Sequence, residues 1–501
     1  MTTIEEPIVI IDFGSPLNKV MRRKIRELNV YSMLVPENIT AEEIKQLNPK
    51  GIILGASPAS IYTDDAPKPD PKIFDLNLPK LGVCYGLQTI TQFYGGVVEN
   101  TRQNEFGIVE IEIENKNKLL KGLPTENTVH MSHGDRVYEA PEGFSVDAHS
   151  PGCPIAAISH EEQQIYGVQF HPEMEASKNG DDILRNFLYD ICGCKPNWTM
   201  GNLLPQLIDD IRYQVGNDRV ILPIGGGLQS TVLAVLLHQA IGEQMVGLFI
   251  DHGLFRKNEP EQVTNVLTDR FGLDLIYLDE RETFLDKLEE FEKNIEKERA
   301  FMNQLINILQ KELSQRENIV WYATDEIIDR EKPNEQRENG ISKPEEALQL
   351  RVLEPLKKLH FHELKELGKE LRIPEYILNQ QLFPETGLAT RVKGKVTDHK
   401  TKILRESEAI VQAEIFHEGL EKDIYQYYAL LLQEDPDFTA EQGSPNYPIL
   451  IRMIEWKNSQ QTKWSRIPYA VMEKISRRIT NEVTDVSQVY FDITVNPIPD
   501  Q

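Results

Sequence analysis

Two stretches of this chain share one pattern: an apolar run, a turn punctuated by glycine, then a segment with helical periodicity. They are "KLGVCYGLQTITQF" (80–93) and "RVILPIGGGLQSTVLAVLLHQAIG" (219–242). A run of aliphatic residues without polar alternation predicts a strand covered on both faces, which belongs in a parallel sheet wrapped by helices. Further runs of this kind are "PIVIIDFG", "KGIILGA", "IYGVQFHPE", "QMVGLFIDHG", "LDLIYLD" and "NIVWYATD". Between them lie helical patterns such as "NKVMRRKIRELNV", "LLPQLIDDIRYQVG" and "EQVTNVLTDRFG". The alternation constrains the chain to an α/β class with wound, mostly parallel sheets.

A chain of 501 residues is too long for one core. The first wound unit closes with the helix "GDDILRNFLYDICG" and the linker "CKPNWTMGN", which gives domains over 1–197 and 198–387. Residues 388–501, with late strands such as "QVYFDITV", read as a small α+β domain. A long charged helix is expected from roughly Glu282 to Arg316, and the polar loop from Arg330 to Ala347 is expected to be mobile.

Acidic residues outnumber basic ones, 79 to 54, and the net charge of −25 opposes a nucleic-acid partner. No apolar stretch approaches the roughly 18 residues that span a bilayer, and "MTTIEEPIVIIDFG" reads as a first strand and no signal peptide. With only four cysteines, a disulfide scaffold is not expected, so a reducing cytoplasmic setting is. Cys192 and Cys194 form a C-x-C without further ligands, and no metal site is expected.

Cys84 falls between an apolar strand and a helix, where a sharp turn exposes a nucleophile and the helix N-terminus favours a thiolate. "VQFHPE" places His171 and Glu173 at another strand end. A cysteine nucleophile needs an imidazole to take its proton, and the imidazole needs an acceptor that sets its tautomer. Cys84, His171 and Glu173 are therefore the candidate catalytic residues.

"GVCYGLQ" with "VQFHPE" resembles the class I glutamine amidotransferases, and the order of the whole chain resembles the glutamine-hydrolysing GMP synthase family. Supporting stretches include "NEFG", "MSHGDRV", "DHGLFRKNEPEQV", "LEPLKKL" and "RRITNEV". The resemblance implies an amidotransferase domain, an ATP-pyrophosphatase-like synthetase domain, and a C-terminal dimerisation domain that makes a homodimer. It implies that Cys84 attacks the side-chain amide of glutamine, with the Tyr85 N–H and the loop at Ser57 holding the oxyanion. Gln88, His133 and Asp135 would line the glutamine pocket. ATP and Mg²⁺ would serve the synthetase, and the acceptor would be a small purine nucleotide.

Here the chain departs from the family. The S-G-G-P loop facing the nucleophile reads Gly55-Ala56-Ser57-Pro58, where a serine in place of glycine is expected to carry strain. The S-G-G-x-D-S pyrophosphate loop reads Gly225, Gly226, Gly227, Leu228, Gln229, Ser230 and Thr231. The glycines and hydroxyls keep an anion nest, but Gln229 offers Mg²⁺ no negative charge. A Lys-Arg-Lys lid cluster becomes Glu298, Arg299 and Ala300, and "FPGPGLG" becomes "FPETGLA", with Glu385. The strand end "QGTIYPD" becomes "ATDEIID", and the tail "VNPIPDQ" lacks the family's closing residues. Asp251, Glu354 and Arg391 persist as mainly architectural residues, and Lys393, Lys395 and Lys400 are candidates for a migrated cationic role. The expectation is a GMP-synthase-like glutamine amidotransferase whose ATP and Mg²⁺ use is in doubt and whose ammonia acceptor is not XMP. The alternatives are a genuine GMP synthase and a catalytically weak regulatory relative.

Overall fold

The computed structural model describes residues 6–330, 341, 343–381, 383–421, 424–434, 446–456 and 462–494. The chain divides into two compact units, Met1–Leu203 and Leu204–Gln501. No described helix is long and apolar enough to cross a membrane.

The first unit is built on nine strands: β1 (Ile8–Asp12), β2 (Ser32–Pro36), β3 (Gly51–Leu54), β4 (Lys80–Val83), β5 (Val97–Ile113), β6 (Glu126–Glu139), β7 (Ser145–His149), β8 (Ala157–His160) and β9 (Ile165–Val168). Their order is β2-β1-β3-β4-β9-β8-β7-β5-β6. The first five in that order pair in parallel. Period-two geometry explains why β1 is apolar throughout: Ile8 and Ile10 enter one core cluster while Val9 and Ile11 enter the other. The 17-residue β5 and 14-residue β6 make a long antiparallel hairpin that the apolar-run criterion does not find. β6 alternates buried and partly exposed residues, the signature of a one-sided ribbon.

In the second unit, β10 (Arg219–Ile224), β11 (Met245–Asp251), β12 (Leu275–Asp279), β13 (Ile319–Ala323) and β14 (Arg351–Leu353) form a parallel sheet in the order β12-β11-β10-β13-β14. The helix Leu228–Ile241 packs on it and is buried almost all round, as its uniformly apolar sequence requires. A further sheet joins β15 (Gln426–Leu431), β16 (Ile449–Trp456), β17 (Thr462–Trp464) and β18 (Val489–Asp492). Residues on both sides of position 388 share one apolar core, from Ile221 through Phe301 and Leu388 to Val486. Arg391 and Glu408, both almost fully buried, pair at 2.9 Å inside this unit, and Glu408 also accepts from the Ala429 N–H.

The single long helix expected from Glu282 to Arg316 is in fact two, Arg281–Leu288 and Asn294–Ser314. Phe284 and Phe301 show why. In one straight helix they would lie about 25 Å apart, at 1.5 Å per residue, yet their ring centroids are 4.7 Å apart. The chain turns back over 289–293 so that both rings enter one core. The expected loop also ends early, because Pro344–Leu348 is helical, while 331–340 and 342 lie outside the described residues. The tail 495–501 lies outside them as well.

Replacing Phe301 by Ala should destabilise the second unit by roughly 3–5 kcal/mol, the cost of a core aromatic cavity. Urea titration of the full chain measures it, with the exposed Phe416→Ala as a near-neutral control.

Candidate active site

Strand β4 delivers Cys84 into a turn with φ 53° and ψ −103°, and the helix Tyr85–Phe93 starts at the next residue. A left-handed φ is rare for a non-glycine residue and needs firm support from its surroundings. That support is glycine on both sides. A Cβ on Gly82 would come within 2.6 Å of the Gly86 backbone, and one on Gly86 would collide with the Leu54 carbonyl oxygen. The Cys84 N–H donates to Val168 O at 2.8 Å, so β9 ties the turn to the strand end that carries His171.

His171 follows β9 and is anchored by its backbone. Its N–H donates to His130 O at 2.9 Å, and its carbonyl accepts from Ser177 Oγ at 2.7 Å. The ring Nδ1 meets Glu173 Oε1 at 2.8 Å, with both side chains 1 % exposed. Burial works against charge on this ring, but the Glu173 carboxylate and the hydrogen bond to the Cys84 thiol outweigh it and push the ring up to about 10. The arrangement can hold an imidazolium between a thiolate and a carboxylate, with Nε2 free to move a proton at sulfur. Gln169 Nε2 also donates to Cys84 Sγ at 3.7 Å, and the thiol faces Ser132 O at 3.6 Å. Neither contact is visible in the sequence, because one uses a side-chain amide and the other a backbone carbonyl that only folding brings to the sulfur.

The residues expected to line a glutamine pocket come together around Asp135. Its carbonyl accepts from Gln88 Nε2 at 2.8 Å and faces His133 Nδ1 at 3.1 Å. Its carboxylate accepts from Ser60 Oγ, the Ile61 N–H and Asn100 Nδ2 at 2.6, 3.1 and 2.5 Å. The loop of Ser57 is held by Asn18, whose amide bonds both the N–H and the carbonyl of Ala56. Ser57 is not among the residues with positive φ, which corrects the expectation of strain there. Asn18 sets the backbone in a conformation that serine adopts freely. Cys192 and Cys194 are buried free cysteines in the core of this unit.

The second candidate site is the Gly225–Thr231 turn. Gly226 needs its φ of 77°, and a Cβ there would press on Phe255 at 3.2 Å. Gly227 caps the helix, and its carbonyl accepts from Ser230 Oγ, Thr231 N and Thr231 Oγ1 at 2.9–3.1 Å. Gln229 is buried, and its Nε2 donor has no partner among the described residues. Asp251 already accepts from Tyr277 OH at 2.6 Å and the Gly253 N–H at 2.9 Å. On the helix that carries Glu298 and Arg299, the fully buried cation is Lys297, which donates to Val392 O at 2.6 Å and Ala389 O at 3.3 Å. Ala300 packs on the core and Glu385 is exposed. Glu354 pairs with Lys357, Glu326 with Lys343, and Lys400 reaches Lys395 O.

Residues 9–191 match the model of the class I glutamine amidotransferases, and 413–499 match that of the GMP synthase C-terminal domain. A protein named "GMP synthase [glutamine-hydrolyzing]" from Bacillus cytotoxicus is 42 % identical over 98 % of both chains. One of the same name from Bacillus cereus is 41 % identical over the same shares. The chain belongs to the glutamine-hydrolysing GMP synthase family. It is thus an amidotransferase of the ligase kind, and its relatives run the full length of both units. A glutamine amidotransferase structure from Thermotoga maritima covers 37 % of this chain and 97 % of its own, at 17 % identity and a TM-score of 0.31.

Glu173→Gln removes the strongest influence holding the His171 proton, so burial then drives the ring below its ordinary 6.5. Ring-labelled NMR titration should find His171 protonated at pH 7 in the wild type and neutral in the variant. Because the folded value is raised, the stability due to this proton is complete below about pH 6.5 and fades as pH rises towards 10.

Proposed function

We propose that this protein hydrolyses glutamine at Cys84, His171 and Glu173 and delivers the ammonia to an acceptor bound by its second unit. The observation that carries this reading is the Cys84 turn joined to the buried His171–Glu173 pair. The Cys84 thiolate attacks the amide carbon of glutamine, and the developing oxyanion meets the Tyr85 N–H at the helix start. The carbon–nitrogen bond breaks as His171 gives its proton to the leaving nitrogen, which departs as ammonia. Water then attacks the glutamyl thioester with His171 as base, releasing glutamate and restoring the thiol. Glu173 keeps the ring in register throughout. Gln88, His133 and Asp135 shape the pocket, and Ser57 belongs to the loop that faces the nucleophile.

In the second unit, the helix N-terminus and the unpartnered Gln229 amide donor suit an anionic group. The donor set does not suit Mg²⁺. Gln229 stands where a carboxylate would ligate, and Asp251 is engaged by Tyr277 and Gly253. We infer that Mg·ATP binds weakly here and that the acceptor is a less anionic molecule than XMP. The competing reading, a GMP synthase acting on XMP with ATP, draws on the 41–42 % identity over nearly the whole chain. Residues 388–501 are proposed as the dimerisation module, which sedimentation equilibrium of the purified chain tests.

Cys84→Ala should abolish ammonia release, a loss of at least about 10⁴-fold as expected for removing a nucleophile. Unchanged release in that variant would sink the amidotransferase reading. Calorimetry should give Mg·ATP a Kd weaker than about 1 mM, since two or three lost charge-assisted contacts cost roughly 1.5–3 kcal/mol each. Rescue of a guanine auxotroph lacking GMP synthase would establish XMP as the acceptor and overturn the inference about the second unit alone.

A further inference from the structure

His133, proposed above as a pocket residue, also belongs to a cluster whose other members the amidotransferase chemistry does not use. Glu105, His133 and Cys153 bring a carboxylate oxygen, an imidazole nitrogen and a thiol sulfur within 4.8 Å of one another. They come from β5, from β6 and from the loop between β7 and β8, and Glu105 pairs with His133 across the hairpin register. Sequence spacing offers no hint of such a site, which is why none was expected.

The decisive detail is the tautomer of His133. Its Nδ1 faces Asp135 O at 3.1 Å, and a carbonyl can only accept, so Nδ1 carries the hydrogen. Nε2 is therefore the ring atom that faces Glu105: it is buried and lies 3.4 Å from Glu105 Oε2. In a dry site, a ring nitrogen and a carboxylate oxygen this close need a proton or a cation between them.

We propose that Glu105, His133 and Cys153 form a binding site for one borderline-soft divalent cation, of which Zn²⁺ is the best match. Sulfur, imidazole nitrogen and carboxylate oxygen are the donor types that Zn²⁺ takes, and the fourth position goes to water. Metal–ligand bonds of about 2.0–2.3 Å require ligand atoms about 3.3–3.8 Å apart, so the separations already present need only a small contraction. The outer shell is built. Asp135 O fixes the His133 ring, while Ser150 Oγ and the Gly152 N–H donate to the Glu105 carboxylate at 2.9 and 3.0 Å. Charge balances, because Zn²⁺ meets one carboxylate and one thiolate around a neutral ring. The thiolate forms by loss of the Cys153 proton, which now bonds Ile155 O at 3.2 Å, and that proton leaves to solvent. A second His-and-carboxylate cluster, Glu414, His417 and Glu418, is different: it is half exposed and already paired with Lys474 and Arg478.

The test uses the full chain stripped of metal and titrated with Co²⁺ and then Zn²⁺. Wild type and Cys84→Ala should each bind one Co²⁺ per chain with a thiolate-to-cobalt charge-transfer band, which Zn²⁺ abolishes. Cys153→Ser should lose the band while keeping ammonia release within about twofold of wild type. Zn²⁺ calorimetry of the wild type in two buffers should report one proton released per ion, a readout independent of any variant's folding. Absence of the band from wild type, its survival in Cys153→Ser, or its loss in Cys84→Ala would overturn the proposal. The last outcome would move the metal to Cys84. None of these results bears on whether glutamine is hydrolysed.

Discussion

The first unit depends on one backbone conformation, the left-handed φ at Cys84. Such a residue costs on the order of 1–3 kcal/mol and persists only where its surroundings leave the chain no other path. Here β4 is pinned between β3 and β9, the turn N–H is bonded to Val168 O, and two neighbouring positions admit nothing larger than glycine. Relaxing the turn would break a strand pairing, and a methyl group added at Gly86 would run into the Leu54 carbonyl. The strain is thereby held in place, and the thiol stands at the start of a helix beside His171.

Around that point the charges are arranged to complement one another. A buried carboxylate orients a buried imidazole, the ring meets the thiol, and Asp135 ties the hairpin to the loop at Ser60. The second unit keeps the matching strand–turn–helix without matching charges. Its glycines remain, but Asp251 is taken up by Tyr277, Lys297 by backbone carbonyls, and Arg391 and Glu408 by each other. A fold tolerates this readily, since its stability comes from the continuous apolar core and not from the loop above the sheet.

Much of this was legible before any coordinates. Period and apolarity placed the parallel strands and most helices, because a strand buried on both faces leaves a run that only one architecture hides. Cys84, His171 and Glu173 were legible because the chemistry demands those residue types at strand ends, and the structure brings them together. The β5–β6 hairpin was not, since half of its residues face outward and read as loop. Nor was the break at 289–293, because helical periodicity runs through it and only the packing of Phe284 against Phe301 requires a reversal.

The sequence by itself determined the α/β class, and it pointed to a unit boundary near residue 200 and to Cys84, His171 and Glu173 as the proposed catalytic trio, all of which follow from local pattern or from side-chain chemistry. Only the tertiary structure decided how polar groups far apart in the chain share their protons. Asn18 relieves Ser57, Asp135 gathers Gln88 and His133, and Glu105 meets His133 and Cys153 because two long strands and a loop converge. The reason is physical: burial and hydrogen-bond partnership are properties of position in space, and these set the proton affinities on which the chemistry runs.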